Sequence, residues 1–444
     1  MLKLLQVLIV LLGLTLARRN NEPGLLIAMS EGFLESIKQS YYPDLVEKMN
    51  IIQVKDFMEG KYLMKELDMS LSMPHIDDIK LYFDQKNNGV TLDLENIDFE
   101  LNGKVKFSVF FIKLRTSFEL KGTFSKISTT FAIEKQPKND SYIPAVEIKK
   151  ISTSIRKDSW ELSHRRKLYR FFLRPLKPII REVGMPIFED AVKGQIRKLA
   201  PNFINKEIYK SVEILAELDP WLLINVGFVG EVKITDDTLY LPIDGTIVTP
   251  KQPSNDSHEA PKLPLKKRDP DESISIIGGE FLLNTLADAL SLYSYDFDLE
   301  IDKYEVILHI PKRQSAINIT NSQDGIHFLA KGYTTINNTN IAINSTVEGN
   351  LKFYFKDGDD NHLVYLVARL DRESFKVKTY GWELIGEEEA MDCVDQIFGP
   401  ITYVSDEKID LAPHPIERDM FVKLLAKYNG GEYTPNYMSF GFIV

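Results

Sequence analysis

Pro23-Gly-Leu-Leu-Ile-Ala-Met-Ser-Glu-Gly-Phe-Leu-Glu-Ser-Ile-Lys38 is the stretch on which the fold turns. Read at helical spacing, Leu26, Met29, Phe33, Leu34, Ile37 and Tyr41 fall on one broad face and Glu31, Glu35 and Lys38 opposite, which predicts an amphipathic helix over 23–49. Pro43 predicts a kink, after which Leu45 and Val46 turn inward. About a hundred residues of strand-like sequence follow, so the helix has a sheet on which to lie.

That sheet is foreshadowed by alternation. In Gly89-Val-Thr-Leu-Asp-Leu-Glu, Val90, Leu92 and Leu94 take one face and Thr91, Asp93 and Glu95 the other. Asn102-Gly103 predicts a hairpin turn. The runs 104–111, 112–120 and 123–133 extend an antiparallel meander. From Ser159 to Leu218 the period lengthens to that of a helix: Leu168, Phe172, Leu176, Ile179, Ile180 and Val183 share a side, Met185, Phe188, Val192, Ile196 and Leu199 continue the pattern, and prolines at 175, 178, 186 and 201 predict a bent helix or several short ones.

Strands return over 221–247, and Pro250 to Glu272 is polar and Pro-containing, the mark of a linker. Beyond it, Ile277-Gly-Gly-Glu-Phe-Leu-Leu-Asn-Thr-Leu-Ala repeats the opening theme, with Leu282, Leu286, Ala289 and Tyr293 at helical spacing. Strands follow to about 384, then helices are predicted at 387–397 and 415–427. Each half therefore runs helix, meander, helix: a structural duplication with little residue identity. The fold class is α+β, and the boundaries are a leader at 1–17, an N-terminal unit at 18–220, central strands at 221–249, the linker at 250–272 and a C-terminal unit at 273–444.

With 444 residues, 44% hydrophobic and 27% charged, the chain supports two cores. The apolar run Leu4 to Leu16, behind Met-Leu-Lys and ending in small residues, is shorter than the roughly 20 residues of a membrane span and predicts a cleaved secretory leader. Sequons at Asn139, Asn255, Asn318, Asn337 and Asn344 agree with a secreted, extracellular glycoprotein. Cys393, the sole cysteine, is expected to be a small buried hydrophobe rather than a nucleophile.

The net charge of -10 is uneven, since residues 101–200 hold 22 basic and 9 acidic side chains, a local +13. That patch predicts attraction to an anionic surface, whereas the acidic whole and the lack of any recognition-helix or zinc-finger pattern argue against nucleic acid. No Gly-x-Ser-x-Gly, His-Glu-x-x-His or phosphate-binding loop occurs, and seven scattered histidines show no ligand spacing. The expectation is binding, with no catalytic residue and no metal.

The chain resembles the family of bactericidal/permeability-increasing protein, lipopolysaccharide-binding protein and the plasma lipid transfer proteins. The resemblance rests on Glu22-Pro23-Gly24 with Gly32-Phe33-Leu34, on Asn102-Gly103-Lys104-Val105-Lys106, on the 227–247 strands with their linker, on Gly279 to Thr285 and on Asn436 to Phe442. It implies a tubular lipid-binding fold: two elongated barrels, each a curved antiparallel sheet wrapped on long amphipathic helices, joined by a central sheet in a boomerang. The 221–247 strands and the last strand, 437–444, would meet at that sheet.

What the resemblance implies for function is a secreted carrier holding phospholipid-type lipids in two apolar pockets, with no cofactor besides bound lipid. The first pocket would use Leu26, Met29, Phe33, Ile37 and Leu45, the second Leu282, Leu286, Ala289 and Tyr293. Lys104, Lys106, Lys113 and Arg115 would meet headgroups at a membrane or lipid-particle surface, touched transiently by a monomer. The alternative is a host-defence protein that binds bacterial lipopolysaccharide through this basic tip.

Overall fold

The computed structural model describes residues 22–36, 38–39, 52–109, 112–138, 141–156, 159–163, 176–199, 205–206, 209, 214–219, 222–225, 227–235, 237–252, 258, 260, 262–265, 272–301, 304–313, 316–336, 342–357, 363–379, 382–383, 401–404, 408–411, 414–417 and 427–443. The leader, Cys393 with its expected helix, and Asn139, Asn255 and Asn337 lie outside them.

The opening stretch is not one helix. Leu25–Ser30 is a strand, and helix begins at Glu31, running through residues 31–36. An unbroken run such as Leu-Leu-Ile-Ala-Met satisfies a helical and an extended period equally, so periodicity cannot choose between them. Pairing on both sides decides: Ile27 lies opposite Leu241 on one neighbour and Ile276 on the other. The boundary is a cap, because the Ser30 hydroxyl accepts the Phe33 N–H at 3.1 Å.

This strand sits inside a six-stranded antiparallel sheet in the order Lys233–Ile234, Thr238–Ile243, Leu25–Ser30, Ile274–Gly279, Tyr437–Ile443, Lys427–Tyr433. The last strand thus returns to the middle of the molecule, as expected. Of the 221–247 segment only part reaches this sheet. Leu222–Asn225 pairs with Leu215–Asp219 on one side and Ile247–Val248 on the other in a separate three-stranded sheet. Alternate side chains go to opposite faces. Ile27 and Met29 join Phe33, Leu34, Phe83 and Leu241 on one face, while Leu26 and Ala28 join Tyr240, Ile277 and Leu263 on the other.

Gly24 ties the sheet's two sources together. Its N–H donates to Asp244 O at 2.8 Å and its carbonyl accepts from Gly279 N–H at 3.1 Å. A Cβ there would stand 2.3 Å from both Asp244 O and the Phe281 ring.

The N-terminal sheet has eight antiparallel strands, led by Gly89–Val109 and Ile112–Lys138. Asn102-Gly103 is not a turn. It lies within Gly89–Val109, opposite Glu119 and Phe118, and the strands run on to a Val109–Ile112 pair. A Cβ there would meet Leu67 Cδ2 at 2.4 Å, so a larger residue would have to displace the Leu67 side chain. Register shifts at 65/68, 124/126 and 130/131, together with Asn96 at φ 55°, are bulges that curl these long strands into a half-barrel.

Its hollow is filled by a helical run: Leu176–Ile179, a π turn at Ile180–Gly184 and Met185–Leu199. The predicted helix from 159 to 218 is therefore shorter, with Glu161–Ser163 and Leu215–Asp219 extended at its ends. Buried Ile180 is followed by buried Met185, a step of five that the π turn supplies just before Pro186. Phe188 at 0% exposure is the largest plug.

The C-terminal half mirrors this with an eleven-stranded antiparallel sheet and the helix Glu280–Leu290. The helix expected at 415–427 is corrected at its start, where His414–Glu417 is a strand paired with Leu363–Asp371. The linker is also less free than its polarity suggests: Leu263 is buried against Leu26 and Tyr240.

On the N-terminal sheet Asp93 is buried on the face that alternation marks as polar. Burial alone would push its carboxyl up, but hydrogen bonds from Lys126 and Ser128 outweigh it and leave the pKa below the ordinary value.

Two tests follow from this frame. Gly24→Ala should lower the urea unfolding free energy by about 1–3 kcal/mol, because the backbone oxygen facing the new methyl cannot move aside. Asp93→Asn should cost about 1–3 kcal/mol at neutral pH. A depressed carboxylate stabilises above its unfolded pKa and stops doing so as pH falls through the folded one, so the gap between the two proteins should close below about pH 4.

Candidate functional site

Two helix-on-sheet seams share one geometry. In the N-terminal half, Leu176, Ile180, Phe188, Val192 and Ile196 sink into the sheet beside Met64, Leu101 and Phe124. In the C-terminal half, Leu283 and Ala287 do the same against Leu308, Ile326 and Phe328. Beside each sunken row runs a second apolar row that is only half covered: Ile179, Ile187 and Ala191 on the first helix, Leu282, Leu286 and Leu290 on the second. Spacings of four and eight place each set on one helical stripe.

The second helix is gripped from its other side as well. Ala289 is buried with Leu222 and Ile247 of the three-stranded sheet, and Leu282 and Leu286 pack against the same cluster. The Thr285 hydroxyl accepts the Ile247 N–H at 3.0 Å and donates to Leu282 O. Tyr295 closes the helix end by donating to Leu290 O at 3.1 Å, and burial pushes its hydroxyl pKa up to about 12. Tyr293 stands apart, with the Lys251 amine 4.6 Å from its ring centre.

The first set of expected pocket residues divides. Met29 and Phe33 are fully buried in the cluster between the central sheet and the first helix. Leu26 faces the opposite way, and Ile37 and Leu45 lie outside the described residues.

The four expected headgroup cations do come together. Lys104 and Lys106 alternate along one strand, and Lys106 lies opposite Arg115 and Ser108 opposite Lys113 on the next, so all four point outward near the hairpin end. Two are already engaged: Glu66, at a bulge with φ 53°, pairs with Lys104 and with Arg115 at 2.8 Å. The hydrogen bond from Lys104 and the surrounding cations hold the Glu66 carboxyl below its ordinary value. Lys106 and Lys113 are exposed. Met58, across Leu63 from Lys106 on the same sheet, is 67% exposed. Among the sequons, Asn318 and Asn344 are exposed on strands of the C-terminal sheet.

One cavity, of about 340 Å³, was not foreseen. It lies on the face of the central sheet turned away from the first helix, floored by Leu26, Tyr240 and Pro242. Leu263 and Leu265 of the linker overhang it, and Lys135, Lys233 and Lys262 with Glu22 and Glu231 form its rim. These residues come from distant segments, so no local motif announces them.

Among the described residues no group of His, Cys, Asp or Glu has metal-binding geometry, and no helix is long and apolar enough to cross a membrane.

No family model and no curated protein matches the sequence. In backbone shape the chain is similar to the crystal structure of lipopolysaccharide binding protein, with 13% identity, a TM-score of 0.56 and coverage of 95% of this chain and 98% of that one. A second similarity, to Epiphyas postvittana Takeout 1, has 18% identity and a TM-score of 0.29 over 39% of this chain and 93% of that one. The first shows a shared fold from end to end.

The grip on the second helix gives a test. Thr285→Val keeps the side-chain shape and strands a buried amide, at a cost of about 1–3 kcal/mol. Hydrogen exchange should quicken at the Ile247 amide before it does so in the sheet strands; unchanged protection there would show that the hydroxyl is not its partner.

Proposed function

We propose that this chain is a secreted lipid-binding protein that holds phospholipid-type lipids in two apolar pockets, one in each of two barrels joined by the central sheet, and carries or transfers them. One observation carries the reading: each half pairs a helix with an antiparallel sheet and leaves along that helix a half-covered apolar row, Ile179, Ile187, Ala191 and Leu282, Leu286, Leu290. An acyl chain laid on such a row completes its burial, and each methylene removed from water contributes about 0.8 kcal/mol. The end-to-end likeness to a protein whose name is lipopolysaccharide binding protein supports lipid as the ligand class.

In this reading the unit boundaries are those drawn from the sequence, the leader is removed, Asn318 and Asn344 are positions for glycans, and the protein works as a monomer without catalysis. Lys106 and Lys113, with Met58 on the same sheet, meet an anionic surface transiently. The second reading, recognition of bacterial lipopolysaccharide by the same tip, is favoured by the four cations on one face. It is weakened by Glu66, which neutralises part of that charge internally.

Organic extraction of the protein purified from its own secretory host, followed by mass spectrometry, should recover about two phospholipids per chain. Leu286→Asp should remove about one of them and leave the other, since a carboxylate in an apolar row costs several kcal/mol. An empty extract rejects the carrier reading. Failure to bind phospholipid together with tight capture of added lipopolysaccharide selects the second.

A further inference from the structure

The cavity on the far face of the central sheet belongs to neither helix-on-sheet seam. Its floor is apolar, formed by Leu26, Tyr240 and Pro242, and Leu263 pins the linker above it. Its rim carries three lysines and two glutamates, a surplus of one positive charge. Among the described residues Lys233 and Lys262 make no ion pair, and the Lys135 amine lies over the Tyr142 ring at 5.7 Å. That amine is partly desolvated, which lowers its pKa against the pull of Glu231. Leu265 is 44% exposed where the linker meets the pocket, an apolar side chain left open to an apolar visitor.

Size narrows the ligand. At about 340 Å³ the cavity stands at the small end of the roughly 300–1,000 Å³ of ligand pockets, too small for a two-chain lipid and suited to a single short chain. Apolar floor and cationic rim together select a molecule with an apolar body and one anionic head.

We infer that this pocket binds a single-chain carboxylic acid of medium length, its tail packed against the open Leu265 side chain at the edge of the Leu26, Tyr240 and Pro242 floor and its carboxylate between Lys135 and Lys233. The site is separate from the two seams and does not depend on their lipid occupancy. Linker residues 262–265 are the wall that such a ligand would brace, so binding there also holds the linker on the sheet.

Carbon-13 NMR titration of the full chain with carboxyl-labelled decanoate tests this. One saturable site is expected, with decanol bound at least tenfold more weakly. Lys135→Gln with Lys233→Gln, both at exposed positions that leave the thermal midpoint unchanged, should weaken decanoate at least tenfold. Prior loading with phospholipid vesicles should leave the decanoate signal in place. Absence of saturation, indifference to the double substitution, or displacement by phospholipid each overturns the assignment. An empty lipid extract would instead reject the carrier reading and leave this titration interpretable.

Discussion

The ladder between Leu25–Ser30 and Ile274–Gly279 is the contact on which everything else depends. The two strands lie antiparallel with Ile27 opposite Ile276, and the ladder is closed at one end by Ser30 N–H to Ser273 O and at the other by Gly279 N–H to Gly24 O. Each strand passes directly into a helix, at Glu31 and at Glu280. Because the strands are antiparallel, the helices must depart from opposite ends of the ladder, and each half is sent to its own side. The pairing joins residues far apart in the chain, so its loop-closure cost is offset only when both faces are covered. They are, by the Ile27 and Met29 cluster on one side and the Leu26 and Ala28 cluster on the other.

The sequence carried the alternation and the amphipathic period, and the structure contains both. Its misreadings have physical causes. Leu25 to Met29 is buried on both faces, so it lacks the polar gaps that tell strand from helix. Asn102-Gly103 has turn chemistry but is overridden by two long strands, where Leu67 and Phe118 crowd the glycine. The missing position between Ile180 and Met185 is a π turn, which no strict 3.6 period anticipates. Leu263, one leucine among prolines and lysines, gives no period at all, yet it fixes the linker.

Charge was legible in amount and misleading in effect. Part of the basic charge over 101–200 is paired within the protein: Lys121 on Glu100 and Glu119, Lys126 on Asp93, Lys149 on Glu134 and Glu147, Lys193 near Glu189 and Asp190. Exposed pairs of this kind add little stability but cancel field at a distance. Lys106 and Lys113 stay outward at the hairpin end, exposed to solvent.

The same distinction governs the apolar residues. A row sunk between helix and sheet, such as Phe188 and Val192 or Leu283 and Ala287, is already surrounded, and removing it would leave a cavity rather than expose a site. The neighbouring rows, Ile187 with Ala191 and Leu286 with Leu290, retain apolar surface that the protein itself does not cover. Buried and half-covered apolar surface are thus divided between adjacent stripes of one helix. A residue chosen from the sequence by helical phase alone lands on either stripe: Leu282 and Leu286 on the half-covered one, Met29 and Phe33 in solid core. Phase identifies the face that turns inward, and only the partner sheet determines how much of that face remains for a ligand.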